Sequence, residues 1–277
     1  MPAVIVWCAY CCSFLGEKPP YDNLAITHSI CVRCVQEVIE DRIPDERLQQ
    51  LTKFQHALQE AGHNADVSQI PNLLKQAAAL DVQDSHMLLG LVAPLLWQLG
   101  VDWQHGSVSV AMEHRFTAFF EATAAAVWQD SLQQVRQPRP SDLRMLLVPV
   151  GGNYHTLGLR MIGLWLAEHA IESDLILPGL PAQEIADAAA DRRCNLVGLS
   201  IAIDSQLPAL EEAIATLQAL PQPPRILVGG ALSKTHAIKS LESLGQVQVF
   251  EEFGSFEQGI LRYFGEDPIG TGHPHNH

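Results

Sequence analysis

Residues able to do chemistry concentrate in three stretches of this 277-residue chain. The first is VGGNYHTLGLRM, residues 150–161, which sets His155 behind two glycines and Asn153, with Gly158 three residues on. An imidazole there is either a working ligand or an ordinary exposed, locally hydrogen-bonded side chain. The double glycine is equally ambivalent, because glycines also end strands in plain turns. Phosphate binding does not fit. The loop matches neither the G-x-G-x-x-G fingerprint nor a P-loop ending in Gly-Lys-Ser/Thr, and no acidic residue closes the next strand to hold a ribose.

The second stretch, WCAYCCSFLGEKPPYDNLAITHSICVRC at residues 7–34, reads C-x2-C-x19-C-x2-C through Cys8, Cys11, Cys31 and Cys34. Four thiolates complete a tetrahedron around Zn2+ and close a loop too small to hold itself, so the spacing predicts a structural zinc knuckle. Cys12 and His28 are alternative ligands, and plain reduced thiols or a redox pair are the other readings. Cys194 begins an apolar strand and reads as packing.

The third stretch is VDWQHGSVSVAMEHRFTAFF, residues 101–120, in which Trp103 is followed after nine residues by Glu113 and His114. Taken singly these are a core aromatic and two ordinary helix residues. Neighbouring helical positions point about 100° apart, so Glu113 and His114 cannot both lie centrally on one face.

The elements that must position these residues follow from the hydrophobic pattern. Segments such as PDERLQQLTKFQHALQEAG and SHMLLGLVAPLLWQLG carry apolar residues at three- and four-residue intervals. Four such segments with short connections predict an antiparallel helical bundle over residues 43–137. After the proline-bearing linker RQPRPSD the pattern changes. LRMLLVPV, SDLILP, NLVGLSIA, PRILVGG and VQVFEE are strands alternating with helices. That rhythm predicts an α/β domain over residues 138–268, a flavodoxin-like, doubly wound, five-stranded parallel sheet that binds ligands at its carboxyl edge. The loop of His155, the end of the third strand at Ser200 and the pair Gly229–Gly230 should all open onto that edge. Residues 1–42 form the cysteine segment, and the polar tail 269–277 reads as disordered.

Composition narrows the function classes. Charged residues make up only 17%, against a usual share of about 25%, which argues for much buried surface. The net charge of −14 disfavours direct DNA binding, which needs a basic face. The start lacks a signal peptide pattern, and the apolar run 87–101 is shorter than the roughly 20 residues of a membrane span. A cytoplasmic protein with reduced thiols is expected.

Asn153-Tyr-His155-Thr-Leu-Gly158, Ser200-Ile-Ala202 and Gly229-Gly230 resemble, in order, the Asp/Glu-x-His-x-x-G, Ser-x-Leu/Thr and Gly-Gly pattern of the cobalamin-binding domain of corrinoid proteins. The resemblance covers about 130 residues. It implies that His155 is the lower axial cobalt ligand and that the nucleotide tail of cobalamin passes Ser200 and the double glycine. A hydrogen-bond partner on its other nitrogen should orient the ring. Asn153 stands where the family has a carboxylate, and is expected to accept the ring's hydrogen bond without supplying charge.

Trp103 with Glu113-His114 resembles the Trp-x9-Glu-His pattern of light-dependent cobalamin photoreceptors of the CarH type, in which a four-helix cap covers the corrin. The resemblance implies that Trp103 walls the adenosyl group of adenosylcobalamin, with Glu113 and His114 beside it. Gln104 departs from the His that follows the Trp in that family, and His105 comes one place later. THSICVRC resembles the end of small cysteine-knuckle segments in bacterial signalling proteins. No helix-turn-helix module precedes the cap, and the antirepressors of the AerR/PpaA type are a loose analogy. The expectation is a non-enzymatic, homo-oligomeric light sensor that regulates a protein partner, a transcription factor or signalling protein, rather than contacting DNA itself. A corrinoid carrier of a methyltransferase system is the alternative.

Overall fold

The computed structural model describes residues 4–8, 13–18, 26–29, 45–133, 143–233 and 235–263. They fall into two compact units, residues 4–133 with 256–263 and residues 143–255.

The first unit is a helical bundle with a small sheet. Its helices are α1 (Asp45–Asn64), α2 (Ile70–Ala79), α3 (Asp84–Met87), α4 (Ala93–Gln104) and α5 (Val110–Gln133). A π-helical turn, Leu88–Val92, joins α3 to α4, so these two make one rod and the bundle has the expected four members. The π turn has a local cause. Pro94 has no N–H and its ring crowds the carbonyl one turn back, so widening the preceding turn relieves both defects. The apolar run 87–101 is a buried helix as expected, with Met87, Leu88, Leu91, Val92, Leu95 and Leu99 in the core. In α5 Phe120 meets Phe119 edge to face and Phe116 at a tilt, and Phe116 and Phe120 fill the space left by Gly62 of α1. Among the described residues no helix is long and apolar enough to cross a membrane.

Strands β1 (Val4–Cys8), β2 (Phe14–Lys18) and β3 (Ile26–Ser29) form a sheet in the order β2-β1-β3, which the cysteine spacing had not suggested. Val4, Ile5, Trp7 and Cys8 are buried, so the β-branched run VIVWC behaves as a central strand. Trp7 and Phe14 lie against Gly90 of the π turn, where a Cβ would stand 2.6 Å from the Trp7 ring. The Phe14 amide donates to Nδ1 of buried His86 at 3.0 Å. The described strands of the cysteine segment are thereby packed onto the bundle.

The second unit is the expected parallel sheet. Strands β4 (Met145–Pro149), β5 (Ser173–Leu175), β6 (Leu196–Ser200), β7 (Arg225–Gly229) and β8 (Val247–Val249) are ordered β5-β4-β6-β7-β8, all parallel. This is the flavodoxin-like order, with its reversal between β4 and β6. Helices α6 (Leu157–Glu168), α7 (Ala182–Asp191), α8 (Leu207–Gln218) and α9 (His236–Lys239) belong to this unit; α10 (Phe253–Tyr263) starts in it, and its residues from 256 on are grouped with the first unit. Leu146, Val148, Val197, Leu199, Ile226 and Val228 are all but inaccessible, each worth about 1.5–3 kcal/mol of apolar burial. The edge strands β5 and β8 have three residues each, shorter than their apolar runs in the sequence.

Candidate functional site

The register sets Pro149, Ser200 and Gly229 side by side at the carboxyl edge of β4, β6 and β7. The three loops that follow these strands therefore open together at the point where the strand order reverses, the usual ligand position in such sheets.

The loop after β4 starts with a tight turn in which the Asn153 amide donates to the Val150 carbonyl at 3.0 Å. Gly152 takes φ +78° at the third position, which identifies a type II turn and explains the glycine. Asn153 is fully buried, and both ends of its side chain are used. Its Nδ2 donates to the Ser200 carbonyl at 2.9 Å, and its Oδ1 accepts from the His155 backbone amide at 2.9 Å. In the structure Asn153 Oδ1 holds the His155 backbone amide, and the imidazole ring stands exposed beyond it. The reason is geometric. An Asx-type turn places Oδ1 on the amide two residues ahead, and the carbonyl of Ser200 takes up the donor end.

The loop after β6 is tied to the same place by a residue that sequence reasoning missed. Gln206 is buried; its Nε2 donates to the Gly152 carbonyl at 3.0 Å, and its Oε1 accepts from the amides of Ala202 at 2.9 Å and Ile203 at 3.2 Å. Gln206 immediately precedes α8, but only the folded chain brings it to Gly152, 54 residues away.

The glycines have different reasons. Gly230 has φ +115°, and a Cβ there would run into the Ile201 carbonyl oxygen, so the chain itself demands glycine. Gly158, in the first turn of α6, has no protein atom within 4 Å of where its Cβ would be, and Gly152 has none either. At Gly158 packing imposes no requirement for glycine. Ser200 and Gly229 are half-buried at the edge.

In the first unit, Trp103 lies in the last turn of α4 and is 48% exposed, so it is not a core aromatic. Glu113 and His114 lie in the first turn of α5, which His105–Ser109 connects directly to α4. The Ser109 hydroxyl accepts from the Met112 amide and caps the helix. His114 Nε2 is 3.4 Å from one Glu113 oxygen, and the Thr117 hydroxyl donates to the other at 2.9 Å. Trp97, Val110 and Met112 are also exposed on these two helices.

Of the four cysteines, Cys8 ends β1 and is buried, while Cys11, Cys31 and Cys34 lie outside the described residues. Among the described residues no group of three or more His, Cys, Asp or Glu side chains could hold a metal ion. Cys194 is buried as expected, and burial pushes its thiol pKa up, with Asp174 adding to the rise. A cleft of about 230 Å³ lined by Arg144, Glu172, Asp174 and Arg192 lies at the amino ends of β4 and β5, opposite His155. There Arg192 pairs with Asp174 at 2.9 Å.

Residues 143–259 match the B12 binding domain family, a similarity that supports cobalamin as a cofactor. Two curated relatives come from Myxococcus xanthus. The HTH-type transcriptional repressor CarH is 26% identical over 53% of this chain and 47% of its own length. The HTH-type transcriptional repressor CarA is 28% identical over 56% of this chain and 50% of its own. The chain thus spans about half the length of these relatives. Among solved structures, the monomethylamine corrinoid protein of Methanosarcina barkeri shares the fold, with a TM-score of 0.60 over 74% of this chain and 94% of that one, at 15% identity.

Proposed function

We propose that the protein is a cobalamin-dependent light sensor that binds adenosylcobalamin and regulates a protein partner. His155 serves as the lower axial cobalt ligand. Trp103, Glu113 and His114 take the adenosyl group. The observation that carries this reading is the exposed His155 imidazole on a pinned loop, at the strand-order reversal of a sheet that matches the B12 binding domain family.

The residues present suit a corrinoid. An exposed imidazole is a good cobalt ligand, and the open space over Gly152 and Gly158 leaves room for a bulky group beside it. Asn153 leaves the ring without a carboxylate partner, so His155 is a less electron-rich ligand than a family member with Asp or Glu would present. That favours sensing over methyl transfer, where ligand basicity helps steer cobalt redox chemistry. The exposed indole of Trp103 supplies an apolar wall, and the Glu113–His114 pair supplies polar contacts for a nucleoside. When bound, adenosylcobalamin supplies a cobalt–carbon bond that light breaks. A switch further requires that the protein's contacts differ between the dark and lit states.

We assign Cys8, Cys11, Cys31 and Cys34 to a structural Zn2+ by their spacing, and zinc analysis of Cys31→Ser protein tests it: metal loss is expected, and full retention rejects the site. We further propose a transcriptional partner, in keeping with the likeness to repressors, and a cytoplasmic homo-oligomer; affinity capture and sedimentation in dark and light test the partner and the oligomer.

The deciding experiment is absorption spectroscopy of purified protein with adenosylcobalamin, before and after green light. An irreversible spectral change with altered oligomeric state or partner binding is expected. A spectrum that responds without any change in assembly, together with turnover in a methyl-transfer assay, would instead establish a corrinoid carrier.

A further inference from the structure

We propose that Gln206 is the positioning residue for the cobalt ligand, clamping the loop that carries His155 to the loop that follows Ser200. This role presupposes that His155 is that ligand.

The hydrogen bonds of Gln206 divide into two kinds. Its Oε1 accepts from Ala202 and Ile203, four and three residues back, and so shapes its own turn. Its Nε2 makes the one long-range bond, to the Gly152 carbonyl. Gly152 occupies the type II turn that leads into Asn153 and His155. With no side chain, at φ +78° and with open space around it, Gly152 has nothing of its own to pack. The carbonyl bond to Gln206 therefore restrains the tip of the turn, while Asn153 restrains the next step by joining Ser200 to the His155 amide. Two buried amides thus tie the loop after β4 to the end of β6 and to the loop that follows it.

The two kinds of bond also make the role separable. Glutamate has the shape of glutamine and keeps both acceptor functions, but an ionised carboxylate cannot donate to Gly152. Gln206→Glu should thus break the clamp and spare the turn. Gln206→Met keeps the length without introducing a buried charge, and serves as the second variant.

Hydrogen exchange on the cobalamin-free protein reads the loop directly. In Gln206→Glu, the amides of Asn153 and His155 should exchange at least tenfold faster, while those of Ala202 and Ile203 and the strand β6 amides keep wild-type protection. In Gln206→Met, all four loop amides should exchange faster, again with β6 unchanged. With cob(II)alamin bound to protein carrying 15N-labelled histidine, the fraction showing doublet splitting from an imidazole in the electron paramagnetic resonance spectrum should fall in both variants. Wild-type loop exchange and wild-type nitrogen splitting in both variants would overturn the proposal, and so would global loss of protection in both, which would make Gln206 a folding residue. Failure of the underlying reading looks different: the wild type itself would show no imidazole splitting, whatever the loop exchange.

Discussion

The side-chain amide of Asn153 donates to the Ser200 carbonyl at 2.9 Å, joining the loop after β4 to the last residue of β6. Ser200 accepts from the Val150 amide at 3.1 Å with the same oxygen, so both of its lone pairs are occupied. A carboxylate at position 153 could not make this bond. The asparagine that departs from the corrinoid pattern is therefore a structural tie between two strand ends as well as a change in the environment of His155.

Asn153→Ala should remove that tie and leave the His155 amide without its acceptor. Loss of buried hydrogen-bond partners costs about 1–3 kcal/mol, so chemical denaturation of the second unit should shift by that amount. An unchanged midpoint would mean that water replaces the side chain at no cost.

The glycines separate folding from binding. Gly230→Ala places a side chain at φ +115° against the Ile201 carbonyl and should destabilise by about 1–3 kcal/mol or more. Gly158→Ala meets open space in a helical first turn and should leave stability unchanged or raise it by up to about 1 kcal/mol. Cobalamin titration of the same variant should nevertheless show weaker binding, because the methyl group enters the space assigned to the ligand.

Trp103→Ala should cost little stability, since the indole is already 48% exposed. It should weaken adenosylcobalamin more than methylcobalamin or hydroxocobalamin in equilibrium binding. Equal weakening of all three would remove the indole from the adenosyl contact.

Cys194 should react slowly with iodoacetamide in the native protein at neutral pH, because burial raises its thiol pKa and only the thiolate attacks. The linkage has a definite sign. A folded-state pKa above the unfolded value contributes stability below the ordinary thiol range, and that contribution is lost as pH rises through the folded pKa. Alkylation as fast as in denatured protein would contradict the burial.

Much of the fold was legible because its strands are continuous apolar runs and its helices carry a clear three- and four-residue period. The order of the strand-end loops followed from the alternation, and His155 stood out through the glycines around it. Other features depend on folded geometry. Gln206 is one polar residue among several before α8, and nothing local marks it as buried; its partner lies 54 residues away. The bond from Asn153 to the His155 backbone is not legible in the sequence, because residue type shows a hydrogen-bonding capacity but not which group is in reach. The strand VIVWC is masked in the sequence by the stronger chemical signal of the thiol spacing beside it. Gly90 shows its purpose only once Trp7 packs on it.

The most direct test of His155 as cobalt ligand is the electron paramagnetic resonance spectrum of cob(II)alamin bound to wild-type and His155→Ala protein. With 15N-labelled histidine, doublet splitting by one imidazole nitrogen is predicted in the wild type, and in the variant only the cofactor's own 14N base or no splitting. Identical spectra from the two proteins would contradict the assignment.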